Sequence, residues 1–313
     1  MACTRCGADV RPDDKFCESC GSRLDAPTSA VATAPAARCL CGCTQFDGDG
    51  YCLECGQKLR ALPTIESTAV DAALAWATHA GRVHAENQDA VAVRRLADGT
   101  VLLAVADGVS SADRSREASR MVVQAVDELE TGLASYGDDA LHIALQRAHD
   151  ALCEWPREDL RKDDPQATVV AAAVNGSQVR YAWVGDSRIY ALGVEEARQL
   201  TEDDSWLNEA LRAGVPPDVA LHDRNAHCIT QCLGMREAAP DIHVAQAELT
   251  PGSWLVLCTD GLWNYFGEPT ALMVRVLDHI AEGPAVALCE AWVEQANGAG
   301  GVDNITVAAL RIA

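Results

Sequence analysis

The sequence contains no run of about 18 apolar residues, and this absence excludes a membrane-spanning helix. The N-terminus, MACTRCGADVRPDD, also lacks a charged segment followed by an apolar one, which argues against a secretory signal. Neither G-X-G-X-X-G nor G-X4-G-K-[ST] occurs, so nucleotide binding by these glycine-rich loops is unsupported. We therefore expect a cytoplasmic protein that is not attached to a membrane.

Basic residues are scarce, with 25 Lys and Arg against 46 Asp and Glu and a net charge of −21. Residues 1–60 contain 7 basic and 8 acidic side chains, which leaves a net charge of −20 on the remainder of the chain. Such a surface repels a phosphate backbone, so nucleic acid is not an expected partner. Because the first 60 residues carry no basic patch, they do not favour a zinc-ribbon nucleic-acid factor either.

Cysteine is abundant, and nine of the 14 cysteines lie before residue 56. In a reducing cytoplasm such a cluster indicates metal binding more often than disulfides. Two Cys-X2-Cys pairs can enclose one tetrahedral Zn²⁺, although iron in a rubredoxin-like site would use the same ligands. A site of four cysteines has no open coordination position, so we expect a structural role. The first unit has this spacing in Cys3, Cys6, Cys17 and Cys20.

A second unit repeats the first after 35 residues, but Arg38 stands where the repeat predicts a cysteine. The missing ligand is either Cys39, which we favour because Gly42 then follows the second cysteine of the pair, or Cys43. Together the units predict two structural zinc ions, the second held by Cys39, Cys41, Cys52 and Cys55.

Segments rich in Ala, Pro and Thr, which cannot form a core, separate these units from each other and from the large domain. The predicted order is zinc ribbon 1 in residues 1–25, a linker in 26–37, zinc ribbon 2 in 38–60, a linker in 61–72 and a catalytic domain in 73–313.

Strand-like and helical patterns alternate in blocks after residue 70. Asn175-Gly176 is typical of a hairpin, and Gly185-Asp186-Ser187 marks another tight connection, so we expect antiparallel pairing. Strand pairs interrupted by blocks of two helices predict an α+β domain with helices covering the sheet faces. The expected strands are residues 90–95, 101–106, 168–174, 179–184, 188–192, 254–258 and 305–312, and the expected helices are 114–129, 138–153, 205–213, 270–281 and 284–297.

Five aspartates lie in turn sequences at or near strand ends: Asp89, Asp107, Asp186, Asp260 and Asp303. A single Asp-Gly after a strand is usually only a turn, but Asp107 and Asp260 follow apolar strands that fix their positions. Clustered carboxylates repel unless hard cations neutralise them, and oxygen ligands suit Mg²⁺ or Mn²⁺. Two such ions can activate water for attack on phosphorus. The pattern thus predicts a metal-dependent hydrolase.

Seven motifs in order over residues 75–313 resemble the type 2C metal-dependent protein phosphatases, the PPM family: GRVHAENQDA, VLLAVADGVS, YAWVGDSRIYAL, LTEDDS, ITQCLG, WLVLCTDGLW and VDNITVAAL. The resemblance implies a four-layer sandwich of two antiparallel β-sheets flanked by helix pairs. It also implies a monomeric catalytic domain that hydrolyses phosphoserine and phosphothreonine in proteins, including protein kinases, by direct attack of a hydroxide that bridges two Mg²⁺ or Mn²⁺ ions.

The resemblance assigns a role to each aspartate. Asp107 resembles the carboxylate that bridges the two metals, and the carbonyl of Gly108 is a further ligand. Asp260 and Asp303 resemble the other aspartates of the binuclear centre. By the same comparison, Asp89 holds metal-bound water from the outer shell, and Asp186 belongs to a third, weaker metal site.

Two positions depart from the family pattern. His84 stands where members often have an arginine that clamps the substrate phosphate, so phosphate affinity is expected to fall or to depend on pH. His84 is otherwise a loop residue, and Arg82 is an alternative clamp. Val109 stands where many members have a histidine or methionine, and valine cannot donate a proton to the leaving group. That proton then comes from a metal-bound water or from another residue.

These departures leave a second hypothesis open, namely a catalytically weak phosphatase fold that binds a partner through its zinc ribbons. Retention of Asp107, Asp260 and Asp303 argues against it, because clustered charges are costly unless a metal fills the site. A cysteine-dependent phosphatase is disfavoured, since the single Cys-X5-Arg spacing uses Cys17, which the first ribbon already requires.

Overall fold

The structure is a computed structural model. It forms two compact units, Met1–Ala61 and Leu62–Ala313. The predicted zinc ligands Cys3, Cys6, Cys17, Cys20, Cys39 and Cys41 lie outside the described residues. In the described part, no helix is long and apolar enough to span a bilayer. The structure describes residues 43–45, 47, 51–56, 63–129, 139–156, 158–159, 161–193, 197–266, 268–272 and 283–313.

The large unit contains two antiparallel sheets. Six strands in the order β1-β2-β11-β10-β7-β8 form one sheet, and five strands in the order β3-β4-β5-β6-β9 form the other. The strands are β1 Glu66–Ala69, β2 Leu74–His79, β3 Ala90–Arg95, β4 Val101–Ala106, β5 Val169–Asn175, β6 Gln178–Val184, β7 Arg188–Leu192, β8 Ala197–Gln199, β9 His243–Glu248, β10 Trp254–Cys258 and β11 Ile305–Arg311.

Helices cover the outer faces of both sheets. The described helices are α1 Ser115–Asp127, α2 Ala140–Glu154, α3 Trp206–Arg212, α4 Pro217–Ala220, α5 Asp260–Trp263 and α6 Ala285–Ala299. Helices α1 and α2 pack on the five-stranded sheet, and α6 packs on the six-stranded sheet. The predicted helix 270–281 lies mostly outside the described residues. This architecture confirms the predicted sandwich of two sheets with helices outside.

The central strands are buried on both faces because their side chains are apolar at every position. In β4 every residue is buried. Val101, Leu103 and Val105 enter the core between the sheets, whereas Leu102 and Ala104 pack beneath α1 and α2. Alternate side chains of one strand therefore pack either in the core between the sheets or beneath the helices.

Several sequence predictions differ from the structure. The linker expected at residues 61–72 contains β1, an edge strand whose neighbour Ile65 packs on the core. The Asn175-Gly176 hairpin is confirmed, with Asn175 opposite Gln178. The Gly185-Asp186-Ser187 connection is tight, but it crosses between the sheets, so β6 and β7 do not pair with each other. Strands β2, β8 and β9 were not predicted. Strand β8 has only three residues and β9 has no buried residue, whereas β2 is buried at five of its six positions and its signal was missed.

Candidate metal centre

Both sheets contribute aspartates to one site. Asp89 directly precedes β3 and Asp107 directly follows β4, so the five-stranded sheet delivers both. Asp260 begins α5, two residues after β10 ends, and Asp303 lies two residues before β11, so the six-stranded sheet delivers this pair. Asp186 occupies the connection between the sheets, from β6 to β7. All five predicted residues therefore lie on segments that start or end at strands.

Burial and mutual repulsion raise the pKa values of four of these carboxyls. Burial raises the pKa of Asp89 to about 7, and the charges of Asp260 and Asp303 add to it. Burial and the charge of Asp303 raise the pKa of Asp260 to about 6. Burial and the charge of Asp260 raise the pKa of Asp186 to about 8. Burial and the charges of the four other aspartates raise the pKa of Asp107 well above its usual range. The sequence prediction that these residues converge is thus consistent with the electrostatics.

The donor chemistry of this cluster fits hard divalent cations. Among the described residues, Asp89 Oδ1 and Asp260 Oδ1 are buried without a hydrogen-bond donor, and the Asp107 and Asp260 carboxyls contact each other. Buried carboxylate oxygens without a donor are costly unless a cation neutralises them. No three Cys, His, Asp or Glu side chains of the described part surround a single point tightly enough to form a finished site.

Close backbone approach around the cluster depends on glycine and on one asparagine. A Cβ at Gly261 would lie 1.8 Å from Asn304 O, and a Cβ at Gly81 would lie 2.2 Å from Asp303 O. The Asn304 side chain accepts from Gln88 N at 2.7 Å and donates to Ala80 O at 2.9 Å. These contacts fix the loop before β3 against the loop before β11.

His84 and Val109, the two departures from the family pattern, lie at this centre in different ways. His84 Nε2 is 3.4 Å from Asp303 Oδ1, and the imidazole is 33% exposed. The Arg82 side chain is exposed, and its backbone N–H donates to Gly301 O at 2.7 Å. Val109 follows the Asp107-Gly108 turn, and its backbone N–H donates to Gln166 O. His84 is therefore in contact with Asp303 of the acidic cluster.

A second network holds the Asp186 connection. The Trp263 indole donates from Nε1 to Asp186 O at 2.9 Å, and the Arg188 guanidinium lies 3.5 Å from the centroid of the same indole. Arg188 also forms a two-pronged pair with Asp203, with Nη2 2.7 Å from Oδ2. A cavity of about 380 Å³ adjoins these residues and is also lined by Glu202 and His227. This cavity opens beside Asp186.

Sequence reasoning missed the polar residues that support Asp89. The hydroxyl of Thr259 donates to Asp89 Oδ2 at 2.9 Å, and Thr259 is completely buried. Thr306 and Thr78 extend this contact to Asn87. Membership in the quoted motifs was a signal for Asn87, Thr259 and Thr306, but Thr78 lies outside them.

Comparison with known proteins agrees with this geometry. The family model described as Protein phosphatase 2C matches residues 78–290. The chain belongs to the protein phosphatase 2C family. It is therefore an enzyme of a metal-dependent class of serine/threonine protein phosphatases. The zinc-ribbon domain model matches residues 3–24, which confirms a ribbon at the N-terminus. The second ribbon and all zinc ligands stay predictions.

Bacterial members of the protein phosphatase 2C family align over most of the large unit. Protein phosphatase PhpP of Streptococcus pneumoniae is 31% identical over 245 residues, covering 74% of this chain and 94% of that protein. Serine/threonine phosphatase stp of Listeria innocua is 29% identical over 236 residues, with coverages of 74% and 92%. The solved serine/threonine phosphatase of S. agalactiae superposes with a TM-score of 0.67 at 24% identity, covering 80% of this chain and 100% of that one. This likeness supports the fold.

Proposed function

We propose that this protein phosphatase 2C enzyme hydrolyses phosphoserine and phosphothreonine in proteins at a binuclear centre formed by Asp107, Asp260 and Asp303. The observation that carries the proposal is the convergence of buried carboxylates from both sheets, with oxygens of Asp89 and Asp260 left without donors in the described part. A purely structural site would not gather so much unneutralised charge.

The donor set divides into distinct roles. Asp107, the carbonyl of Gly108, Asp260 and Asp303 would hold two Mg²⁺ or Mn²⁺ ions, and Asp186 would belong to a third site. When bound, such ions neutralise the carboxylates, lower the pKa of water and stabilise charge on the phosphoryl group. Because no cysteine or serine is needed as a nucleophile, we propose direct attack on phosphorus without a covalent enzyme intermediate.

The remaining residues would orient the reactants. Asp89 Oδ1 is a buried acceptor beside the cluster and would receive a hydrogen bond from water. His84 would contact the substrate phosphate, with an N–H group where many family members present a guanidinium. Val109 can only pack, so the proton for the serine or threonine leaving group must come from water or from another side chain.

The substrate would be a phosphorylated protein, with a serine/threonine kinase as one candidate. The cavity of about 380 Å³ beside Asp186 offers room for side chains that flank the phosphorylated residue. We propose that the catalytic unit acts as a monomer in the cytoplasm, without nucleic acid or membrane partners. The predicted ribbons would each hold a structural zinc and take no part in the chemistry.

The test is manganese-dependent phosphate release from a phosphothreonine peptide by the wild-type chain and by Asp260→Asn. Loss of a metal-bound carboxylate should reduce the rate by about a hundredfold or more. Asp98→Asn is the matched control, because Asp98 also begins an Asp-Gly turn after a strand but lies away from the cluster and should keep full activity. Equal rates for the wild type and Asp260→Asn, or no wild-type turnover at any manganese concentration, would exclude the proposal.

A further inference from the structure

The backbone and side chain of Asp89 lie in a chain of polar contacts that the proposed chemistry does not explain. The backbone N–H of Asp89 donates to Asn87 Oδ1 at 3.3 Å, and Asn87 Nδ2 donates to Thr78 Oγ1 at 2.7 Å. Thr78 Oγ1 lies 2.6 Å from Thr306 Oγ1, and the Thr306 hydroxyl contacts the Asp89 carboxyl.

The direction of these bonds follows when Asp89 is ionised. Because Asn87 Oδ1 accepts the Asp89 N–H, its amide nitrogen must face Thr78 and donate. An ionised carboxylate can only accept, so the Thr306 hydroxyl donates to Asp89. Thr306 Oγ1 is then free to accept from the Thr78 hydroxyl. In this arrangement Asp89 accepts a hydrogen bond from the Thr306 hydroxyl.

A second hydroxyl is fixed in the same way. Thr259 Oγ1 accepts the backbone N–H of Thr306 at 3.1 Å and donates to Asp89 Oδ2 at 2.9 Å. Thr259 and Thr306 are both fully buried, so water cannot replace either hydroxyl. The carboxylate is satisfied at Oδ2, and Oδ1 stays buried without a donor among the described residues.

We propose that Thr259 and Thr306 are positioning residues that hold Asp89 as an acceptor toward the acidic cluster and thereby set the affinity of the centre for Mn²⁺. The expected effect on phosphate release rests on the proposed function, whereas the placement of the Asp89 carboxylate rests on the hydrogen-bond geometry. The Thr259 hydroxyl on Oδ2, with the Thr306 hydroxyl also against the carboxyl, orients the carboxylate plane so that Oδ1 presents its lone pairs to the centre. Without them, the buried carboxylate would rotate.

Thr259→Val tests the inference because valine preserves the shape of threonine and removes only the hydroxyl. Calorimetric titration of the full chain with MnCl2 should show affinity about tenfold weaker than wild type, since one hydrogen bond to a charged group is lost. In phosphate release kcat should fall, with KM for the peptide near the wild-type value. Thr259→Ser, which restores the donor, should recover both within about threefold.

Thr100→Val is the matched control, because Thr100 is fully buried but its hydroxyl has no partner among the described residues. It should bind Mn²⁺ like the wild type. Thr306→Val repeats the test at a β-strand position where valine is favoured, should Thr259→Val not fold. Wild-type Mn²⁺ affinity in the folded valine variant, or no recovery in Thr259→Ser, would overturn the inference. If the wild type binds Mn²⁺ but releases no phosphate, the proposed function fails while the calorimetric comparison still decides this inference.

Discussion

Asp260→Asn should stabilise the chain in a chelator at alkaline pH while it abolishes activity. The folded-state pKa of Asp260 is raised from 3.8 to about 6. The folded chain therefore binds a proton that the unfolded chain releases, and the free energy of unfolding falls as pH rises from about 4 through 6. A shift of about two pKa units corresponds to roughly 3 kcal/mol. Asparagine carries no charge and should recover about 1–3 kcal/mol of this cost at pH 8.

The assay is urea unfolding in EDTA at pH 8 and at pH 4, followed by tryptophan fluorescence. Asp260→Asn should have the higher midpoint at pH 8, and the difference should shrink at pH 4, where the wild-type carboxyl is protonated. Saturating MnCl2 at pH 8 should reverse the order, because ligand binding stabilises the wild type more. A lower midpoint for Asp260→Asn than for the wild type at pH 8 in EDTA would refute the electrostatic reasoning.

Three further predictions follow from the centre and from the ribbons. Gly261→Ala should reduce phosphate release at least tenfold and lower the urea midpoint, because its Cβ would lie 1.8 Å from a backbone oxygen that cannot move aside; unchanged activity would contradict the packing. His84→Arg should lower KM for a phosphothreonine peptide several-fold with kcat little changed, since a guanidinium binds phosphate in a bidentate manner; an unchanged KM would remove His84 from the phosphate site. Elemental analysis should give two zinc per chain, and a value near one would mean that the second ribbon is incomplete.

The sequence predicted the strands that deliver the aspartates better than those at the sheet edges. Apolar runs such as 101–106 and 254–258 have the structure's own bounds, because a strand buried on both faces must be apolar throughout. Strand β1 reads ESTA and lies at an edge with mostly exposed side chains, so its pairing with β2 comes from backbone hydrogen bonds that composition does not record.

Within the site, residue type identified the aspartates but not the polar side chains that hold them and the nearby loops in place. Asp107 and Asp260 were found because a carboxylate at a strand end is conspicuous. Thr78 and Thr306 were not, because threonine is an ordinary strand residue whose role here depends on a partner 228 positions away. Asn304 was read only as part of a motif, although its side chain bonds the loop before β3.

Because the aspartates are divided between two sheets, a cation bound between them would act as a cross-link. Asp89 and Asp107 come from the five-stranded sheet, and Asp260 and Asp303 come from the other. A metal shared between these groups would close a chain loop of more than 150 residues, so it would lower the entropy of partly unfolded states in the way a disulfide does. Chelation should then first loosen the edge where the sheets meet at these loops, and hydrogen exchange there should respond to manganese well before exchange in the core between the sheets.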